Sequence, residues 1–249
     1  MPAAAALAAA DLVPQSALVL RPAEERGRAD FGWLDSRHTF SFGQYHDPRW
    51  PGFSNLRVIN DDRVAGGGGF PMHPHRDAEI FSYVLDGALA HKDSLGNGST
   101  VRAGGVQYMS AGSGVTHSEF NPSRTDPMHF LQVWLLPERS GVPPRYETLD
   151  IPGTDKSGRL KLFLSPSGRD GSLRTAADAD VHAATLDGGQ AIDFTLPEGR
   201  VGWLHLARGK LTLNGLALNA GDGVGITRSG RLQLRDGDGA ELLLFDLPG

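Results

Sequence analysis

Glu79-Ile80-Phe81-Ser82-Tyr83-Val84-Leu85-Asp86-Gly87-Ala88-Leu89-Ala90-His91 is the stretch that decides the fold class. Ile80 to Leu85 and Ala88 to His91 are short runs of strand-forming residues. Asp86-Gly87 between them offers a residue that takes positive φ at little steric cost, so the stretch reads as strand, hairpin-like turn, strand.

The same pattern extends outward in both directions. With 33 Gly and 16 Pro, the chain is cut into short runs rather than long stretches of helical periodicity. Further strands are expected at Leu56 to Asn60, Gln107 to Ser110, Phe130 to Leu136, Leu160 to Leu164, Gly202 to Ala207, Lys210 to Leu213 and Glu241 to Leu247. Arg208-Gly209 and Asn214-Gly215 read as further hairpin turns. The expectation is an all-β chain with little helix. Pro143-Pro144 and the run Ile151-Pro-Gly-Thr-Asp-Lys-Ser-Gly mark a junction between two strand-rich halves, each with a Gly-rich step, Ala103-Gly104-Gly105 and Ala220-Gly221-Asp222-Gly223. Two antiparallel β-barrel or jelly-roll domains packed together explain this, at 18–147 and 148–249, after a flexible Ala-rich extension over 1–17.

Composition removes several classes of function. There is no cysteine, which excludes disulfides, iron–sulfur clusters and thiolate zinc sites, so any metal must use nitrogen and oxygen ligands. Against 29 Asp and Glu stand 24 Lys and Arg, a formal charge of −5, without the cation cluster that would neutralise a phosphate backbone; sequence-specific nucleic-acid binding is not expected. No apolar run approaches the roughly 20 residues that span a bilayer. The Ala-rich start lacks a Lys/Arg region of the signal-peptide kind. The expectation is a cytoplasmic monomer without membrane association.

Two short segments carry the chemistry. In Met72-His73-Pro74-His75, residues i and i+2 of an extended chain point to one face, so both imidazoles can reach one ion. His117-Ser118-Glu119, preceded by the turn Ala111-Gly112-Ser113-Gly114, repeats the spacing. Two such pairs on neighbouring strands give four inward ligands, His73, His75, His117 and Glu119. Three imidazoles and a carboxylate suit iron, zinc, nickel, manganese, cobalt or copper better than calcium or magnesium. Glu79 shares a face with His75 by strand parity, and reads either as a ligand or a hydrogen-bonding partner of one, or as a structural carboxylate. His38 and His91 read as supports for the ligands or as loop residues, and Phe40, Phe42, Tyr45 and Trp50 as core or as stacking surface for a planar substrate.

With these residues in place the chain resembles the pirin family of cupin proteins. The likeness runs through Gly32-Trp-Leu-Asp-Ser-Arg-His38-Thr-Phe-Ser-Phe42, Arg57-Val-Ile-Asn-Asp-Asp62, His73-Pro-His75, His91-Lys-Asp-Ser94, Gln107 to Asn121, Leu131-Gln-Val-Trp134 and Leu244-Phe-Asp-Leu-Pro248. The resemblance implies a bicupin with one metal, iron(II) in the usual description, on His73, His75, His117 and Glu119. It implies no metal in the second barrel, where no His-x-His occurs. It further implies a quercetin 2,3-dioxygenase activity, in which O2 opens a flavonol ring with release of carbon monoxide and Glu119 serves as the catalytic base. Two alternatives stay open: a redox-sensing regulatory protein with a protein partner, and a cupin enzyme with another substrate.

Overall fold

A run such as Glu79–Asp86 is buried on both of its faces as far as Leu85, so it must lie inside a sheet that is itself covered. The computed structural model, which describes residues 11–249, shows how. Its strands are β1 (Leu18–Arg21), β2 (Gly27–Asp30), β3 (Leu34–His38), β4 (Leu56–Val64), β5 (Gly69–His75), β6 (Glu79–Asp86), β7 (Ala88–Asp93), β8 (Gly98–Arg102), β9 (Gly105–Ser110) and β10 (Val115–Phe120). They continue as β11 (Met128–Leu135), β12 (Arg145–Asp150), β13 (Lys161–Ser165), β14 (Leu173–Arg174), β15 (Asp180–Leu186), β16 (Ile192–Leu196), β17 (Arg200–Leu213), β18 (Leu216–Asn219), β19 (Gly223–Ile226) and β20 (Gly230–Pro248). Among the described residues no helix is long and apolar enough to cross a membrane.

The strands fall into two units. A histidine-bearing unit comprises 26–152 and 165–178; a carboxy-terminal unit takes 153–164, 179–249 and the chain up to Glu25. Neither unit is one continuous stretch, which a division at 147/148 would require. β1 pairs antiparallel with β19 of the carboxy-terminal unit, Leu18 opposite Ile226. The extension expected over 1–17 lies outside the described residues as far as residue 10. From there on the chain is tied down: Leu12 bridges to Arg231, and Val13 is 1% exposed in the core of that unit.

The sheets are open and jelly-roll-like rather than closed barrels. The histidine-bearing unit holds a seven-stranded sheet in the order β12-β9-β6-β11-β4-β3-β2 and a four-stranded sheet in the order β5-β10-β7-β8. Leu34, Val64, Val84, Met128 and Phe130 of the larger sheet pack on Leu89 and Val101 of the smaller. Burial of each such side chain contributes about 1.5–3 kcal/mol, and this contact fixes how the two sheets face each other. In the carboxy-terminal unit a sheet β1-β19-β17-β20-β15-β13 encloses Leu204, Leu206, Leu242 and Leu244.

Two of the three expected hairpins are something else. β6 and β7 belong to different sheets, so Asp86-Gly87, with Gly87 at φ 72°, carries the chain from the large sheet to the small one. Arg208-Gly209 lies within one strand, β17, which pairs with β20 on both sides of it. The register slips there, and Gly209 at φ 69° sits so close to Asp238 and Gly239 that a Cβ would collide with their backbone. A positive-φ residue therefore marks a turn in one place, a sheet change in another and a β-bulge in a third. Asn214-Gly215 alone closes a hairpin, between β17 and β18.

Candidate metal centre

The small sheet carries the imidazoles. β10 lies between β5 and β7, with His117 opposite His73 on one side and Glu119 opposite His91 on the other. Between His117 and Glu119 the register on β5 passes from His73 to Phe70, so β5 bulges by one residue beside the site. The ring centroids of His73, His75 and His117 lie 4.5 to 4.9 Å apart. His73 and His75 are part-exposed, whereas His117 is 1% exposed.

The arrangement fits an ion. The ligand nitrogens of His73, His75 and His117 all lie within 4.8 Å of one another. Nδ1 of His73 is 2.7 Å from the Pro71 carbonyl, a contact that requires the proton on Nδ1 and leaves Nε2 bare. That bare nitrogen stands 3.0 Å from Nε2 of His117. Two ligand atoms at right angles, each about 2.1 Å from a shared ion, would be about 3 Å apart. Burial first, and then the neighbouring His73, push His75 down to about 4; burial and the surrounding imidazoles push His117 further down. Both rings are thus neutral at ordinary pH, as ligands must be.

Glu119 is placed differently from the three histidines. Its carboxylate groups with His117 and His91, within 4.8 Å, rather than with the whole triad. It is completely buried and faces a polar row on the large sheet. His38, Asn60, Gln132, Ser82 and Gln107 stand side by side across β3, β4, β11, β6 and β9. Three of the five donate to Glu119: Ser82 Oγ at 3.1 Å and Gln107 Nε2 to Oε1, and Gln132 Nε2 at 2.8 Å to Oε2. Burial nevertheless prevails over these hydrogen bonds and raises the Glu119 carboxyl to about 7. His91 backs the site from β7. Its Nδ1 is 3.4 Å from Nδ1 of His117, its Nε2 3.4 Å from Asp93, and its ring stacks on Tyr146 at 4.1 Å.

Glu79 lies away from the centre. The turn at Asp77, φ 50°, moves the chain from the small sheet to the large one, so strand parity does not carry across from His75. On β6 the even-numbered Ser82 faces Glu119, and the odd-numbered Glu79 points to the opposite face. There it accepts from Tyr108, from Ser110 at 2.7 Å, and from the Thr175 hydroxyl and the Ala176 amide at 3.1 Å each. It is a structural carboxylate.

A cavity of about 640 Å³ opens onto His73 and His75. Phe42, Tyr45, Phe70 and Trp134 give it aromatic walls, and Ser36, His38, Asn60, Asp62 and Gln132 a polar side. Phe42 meets Trp134 edge-on at 5.6 Å, and Trp134 meets His75 at 4.8 Å. Of the aromatics singled out from sequence, Phe42 and Tyr45 line this cavity; Phe40 is 1% exposed in the core, and Trp50 is not part of the lining. Sequence reading missed Ser82, Gln107, Gln132, Asn60 and Asp62. The available signal was a lone polar residue inside an apolar strand, as in Ile80-Phe-Ser82-Tyr-Val and Phe130-Leu-Gln132-Val-Trp.

Comparison with known proteins finds relatives over most of the chain. Residues 19–135 match the family described as Pirin, and 162–247 the one described as Quercetinase C-terminal cupin domain. An Escherichia coli (strain K12) protein named quercetin 2,3-dioxygenase is 46% identical over 93% of this chain and 99% of its own. A pirin-like protein of Caulobacter vibrioides is 41% identical over 91% of this chain and 97% of its own. The bacterial pirin YhhW of Escherichia coli, solved in complex with nickel(II), superimposes with a TM-score of 0.88 at 44% identity, covering 93% of this chain and 99% of that one.

Proposed function

The chain belongs to the pirin family, and from that premise we propose that it is a metal-dependent dioxygenase that opens the ring of a quercetin-like flavonol with O2 and releases carbon monoxide. In this reading His73, His75, His117 and Glu119 hold one divalent ion per chain. Iron(II) is the ion the family likeness implies, and nickel(II) is the one in the YhhW structure. Such an ion supplies Lewis acidity that makes a flavonol hydroxyl easier to ionise.

The observation that carries the proposal is the cavity: about 640 Å³, within the range of small-molecule sites, aromatic on its walls and ending on two of the three clustered imidazoles. Phe42, Tyr45 and Trp134 present faces and edges to a flat polycyclic substrate. Pro71 holds His73 in the tautomer that points Nε2 inward, and Ser82, Gln107 and Gln132 hold Glu119 in a single orientation. Glu119, raised to about 7, is the first candidate for the base that takes the substrate proton.

The test is reconstitution of untagged protein under anaerobic conditions with iron(II), nickel, manganese, cobalt or zinc. Aerobic loss of quercetin absorbance is then followed with trapping of carbon monoxide, beside His117→Ala and Glu119→Ala. Metal-dependent decay with stoichiometric carbon monoxide, lost in both variants, is the expected result. Metal-loaded protein that yields no carbon monoxide above the variants overturns the proposal.

A further inference from the structure

His117 is held from behind, on the side away from His73. His91 and Asp93 lie two residues apart on β7, and so on one face, and β7 pairs with β10 so that Asp93 is opposite His117. Nδ1 of the buried His91 is 3.4 Å from Nδ1 of His117, and its Nε2 is 3.4 Å from Asp93 Oδ2. Asp93 is itself fixed. The amides of Leu95 and Asn97 donate to its Oδ1 at 2.9 Å each, and Asn97 Nδ2 donates to its Oδ2 at 2.8 Å. The His91 ring lies within 14° of parallel on Tyr146, whose hydroxyl donates to Gln107 Oε1 at 3.4 Å. Gln107 in turn donates to Glu119. Neither His91 nor Asp93 lines the cavity that opens onto His73 and His75.

The protons along this row can be counted. A carboxylate only accepts, so the contact with Asp93 requires a proton on His91 Nε2, and a neutral imidazole is then bare at Nδ1. A second proton on His91 is disfavoured, because it would place a buried imidazolium against the centre. The proton between the two Nδ1 atoms therefore belongs to His117, which leaves Nε2 of His117 bare. That atom stands 3.0 Å from Nε2 of His73, which is bare because the Pro71 carbonyl takes the other proton. Left to themselves the two rings would share a hydrogen bond. The row from Asp93 prevents this by keeping the His117 proton on the far side, so two lone pairs face the place where a cation would join them.

We infer that His91 and Asp93 are positioning residues of the metal centre: they hold the His117 proton on Nδ1, so that Nε2 is offered to an ion before the ion arrives. This rests on the reading of His73, His75 and His117 as ligands, and not on the identity of the substrate. It also decides between the two groupings that share His117. By distance alone His91, His117 and Glu119 fit an ion of their own. With its proton on Nδ1, His117 has no lone pair on that side, and the chain holds one ion rather than two.

The experiment is nitrogen-15 NMR of the imidazoles in metal-free and zinc-loaded protein, zinc being diamagnetic, with zinc affinity measured by competition against a chelator. In metal-free wild type the proton is expected on Nδ1 of His73 and His117 and on Nε2 of His91, and loading with one zinc per chain should leave the His117 proton in place. His91→Phe keeps a ring on Tyr146 but offers no acceptor, and should bind zinc about 10–100-fold more weakly. Asp93→Asn keeps the oxygen that the two backbone amides hold and sets an N–H where Oδ2 stood. It should reverse the row, moving the His117 proton to Nε2, and weaken zinc by a similar factor. A His117 proton on Nε2 in metal-free wild type overturns this inference, even where neither variant folds. So does an Asp93→Asn protein with the wild-type tautomer, a His91→Phe protein that binds zinc as tightly as wild type, or a second zinc per chain. Each of these leaves the triad of ligands standing. Failure of wild type to bind zinc, nickel or iron(II) overturns the metal-centre reading as well.

Discussion

Replacing Glu79 with Gln separates a structural carboxylate from a metal ligand. Glu79 Oε2 accepts from Tyr108, Thr175 and the Ala176 amide, and Oε1 accepts from Ser110. A hydrogen bond to a charged acceptor contributes about 1.5–3 kcal/mol and one to a neutral acceptor about 0.5–1.5, so neutralising the group weakens each bond by about 1 kcal/mol. The Ser110 hydroxyl can turn and accept from the new amide, which recovers part of the fourth bond and leaves a loss of about 3 kcal/mol. For a chain of this size that lowers Tm by roughly 6–12 °C. The assay pairs a thermal melt with metal analysis of the reconstituted protein. We expect the lower Tm with metal content unchanged. Loss of metal from Glu79→Gln to the level seen in His117→Ala would refute the placement of Glu79 outside the centre, and a Tm within a degree of wild type would refute the accounting of its hydrogen bonds.

Three further outcomes follow from the same geometry. His117→Ala should retain less than about a tenth of the wild-type metal, because it removes the imidazole that both histidine groupings share; this is read by elemental analysis after gel filtration. Asp61→Asn should cost about 3–5 kcal/mol, because Asp61 takes His129 at 2.6 Å, Arg63 at 3.0 Å and Arg26 at 3.3 Å, and the substitution removes the charge that all three face in a buried place. Burial alone would raise the Asp61 carboxyl, but the His129 hydrogen bond and charge, with Arg26 and Arg63, hold it well below the usual range. Its contribution is therefore complete above about pH 4 and lost as the pH falls further, so denaturant melts of wild type and variant should converge in acid. Asp62→Asn should behave oppositely in metal-free protein. The native state keeps a proton on Asp62 up to about 7 that the unfolded chain loses near 4, so wild type loses stability relative to the variant as pH rises through that window, by up to about 4 kcal/mol. A gap that stays flat between pH 4.5 and 7.5 contradicts the burial of Asp62.

The imidazoles were legible in the sequence because their geometry is local. His73 and His75 share a face through the two-residue period of a single strand, and the structure places His117 directly opposite His73. The strand runs were legible for the same reason: each expected run lies within a strand or overlaps one. The meaning of a positive-φ pair was not local. Asn214-Gly215 and Asp86-Gly87 look alike as dipeptides, yet one closes a hairpin and the other changes sheet; that depends on which strands pair, and pairing is set by the packing of Val84, Phe130 and Leu89 rather than by the turn.

The two carboxylates bring out the same distinction at the level of chemistry. Glu79 and Glu119 are both completely buried and each is held by three or more donors, so burial and hydrogen bonding alone do not separate them. What separates them is the face of β6 on which their partners stand: Ser82 and the row from His38 to Gln107 on one side, Tyr108, Ser110 and Thr175 on the other. That row is assembled from five strands separated by long stretches of sequence, and no short segment contains two of its members. A one-residue slip in any of the four pairings would turn a member to the opposite face. The hold of Ser82, Gln107 and Gln132 on Glu119 is thus a property of register. It follows that substitutions which loosen register at a distance, such as a side chain at Gly105, where a Cβ would meet Val101, should weaken the hold on Glu119 without touching the centre.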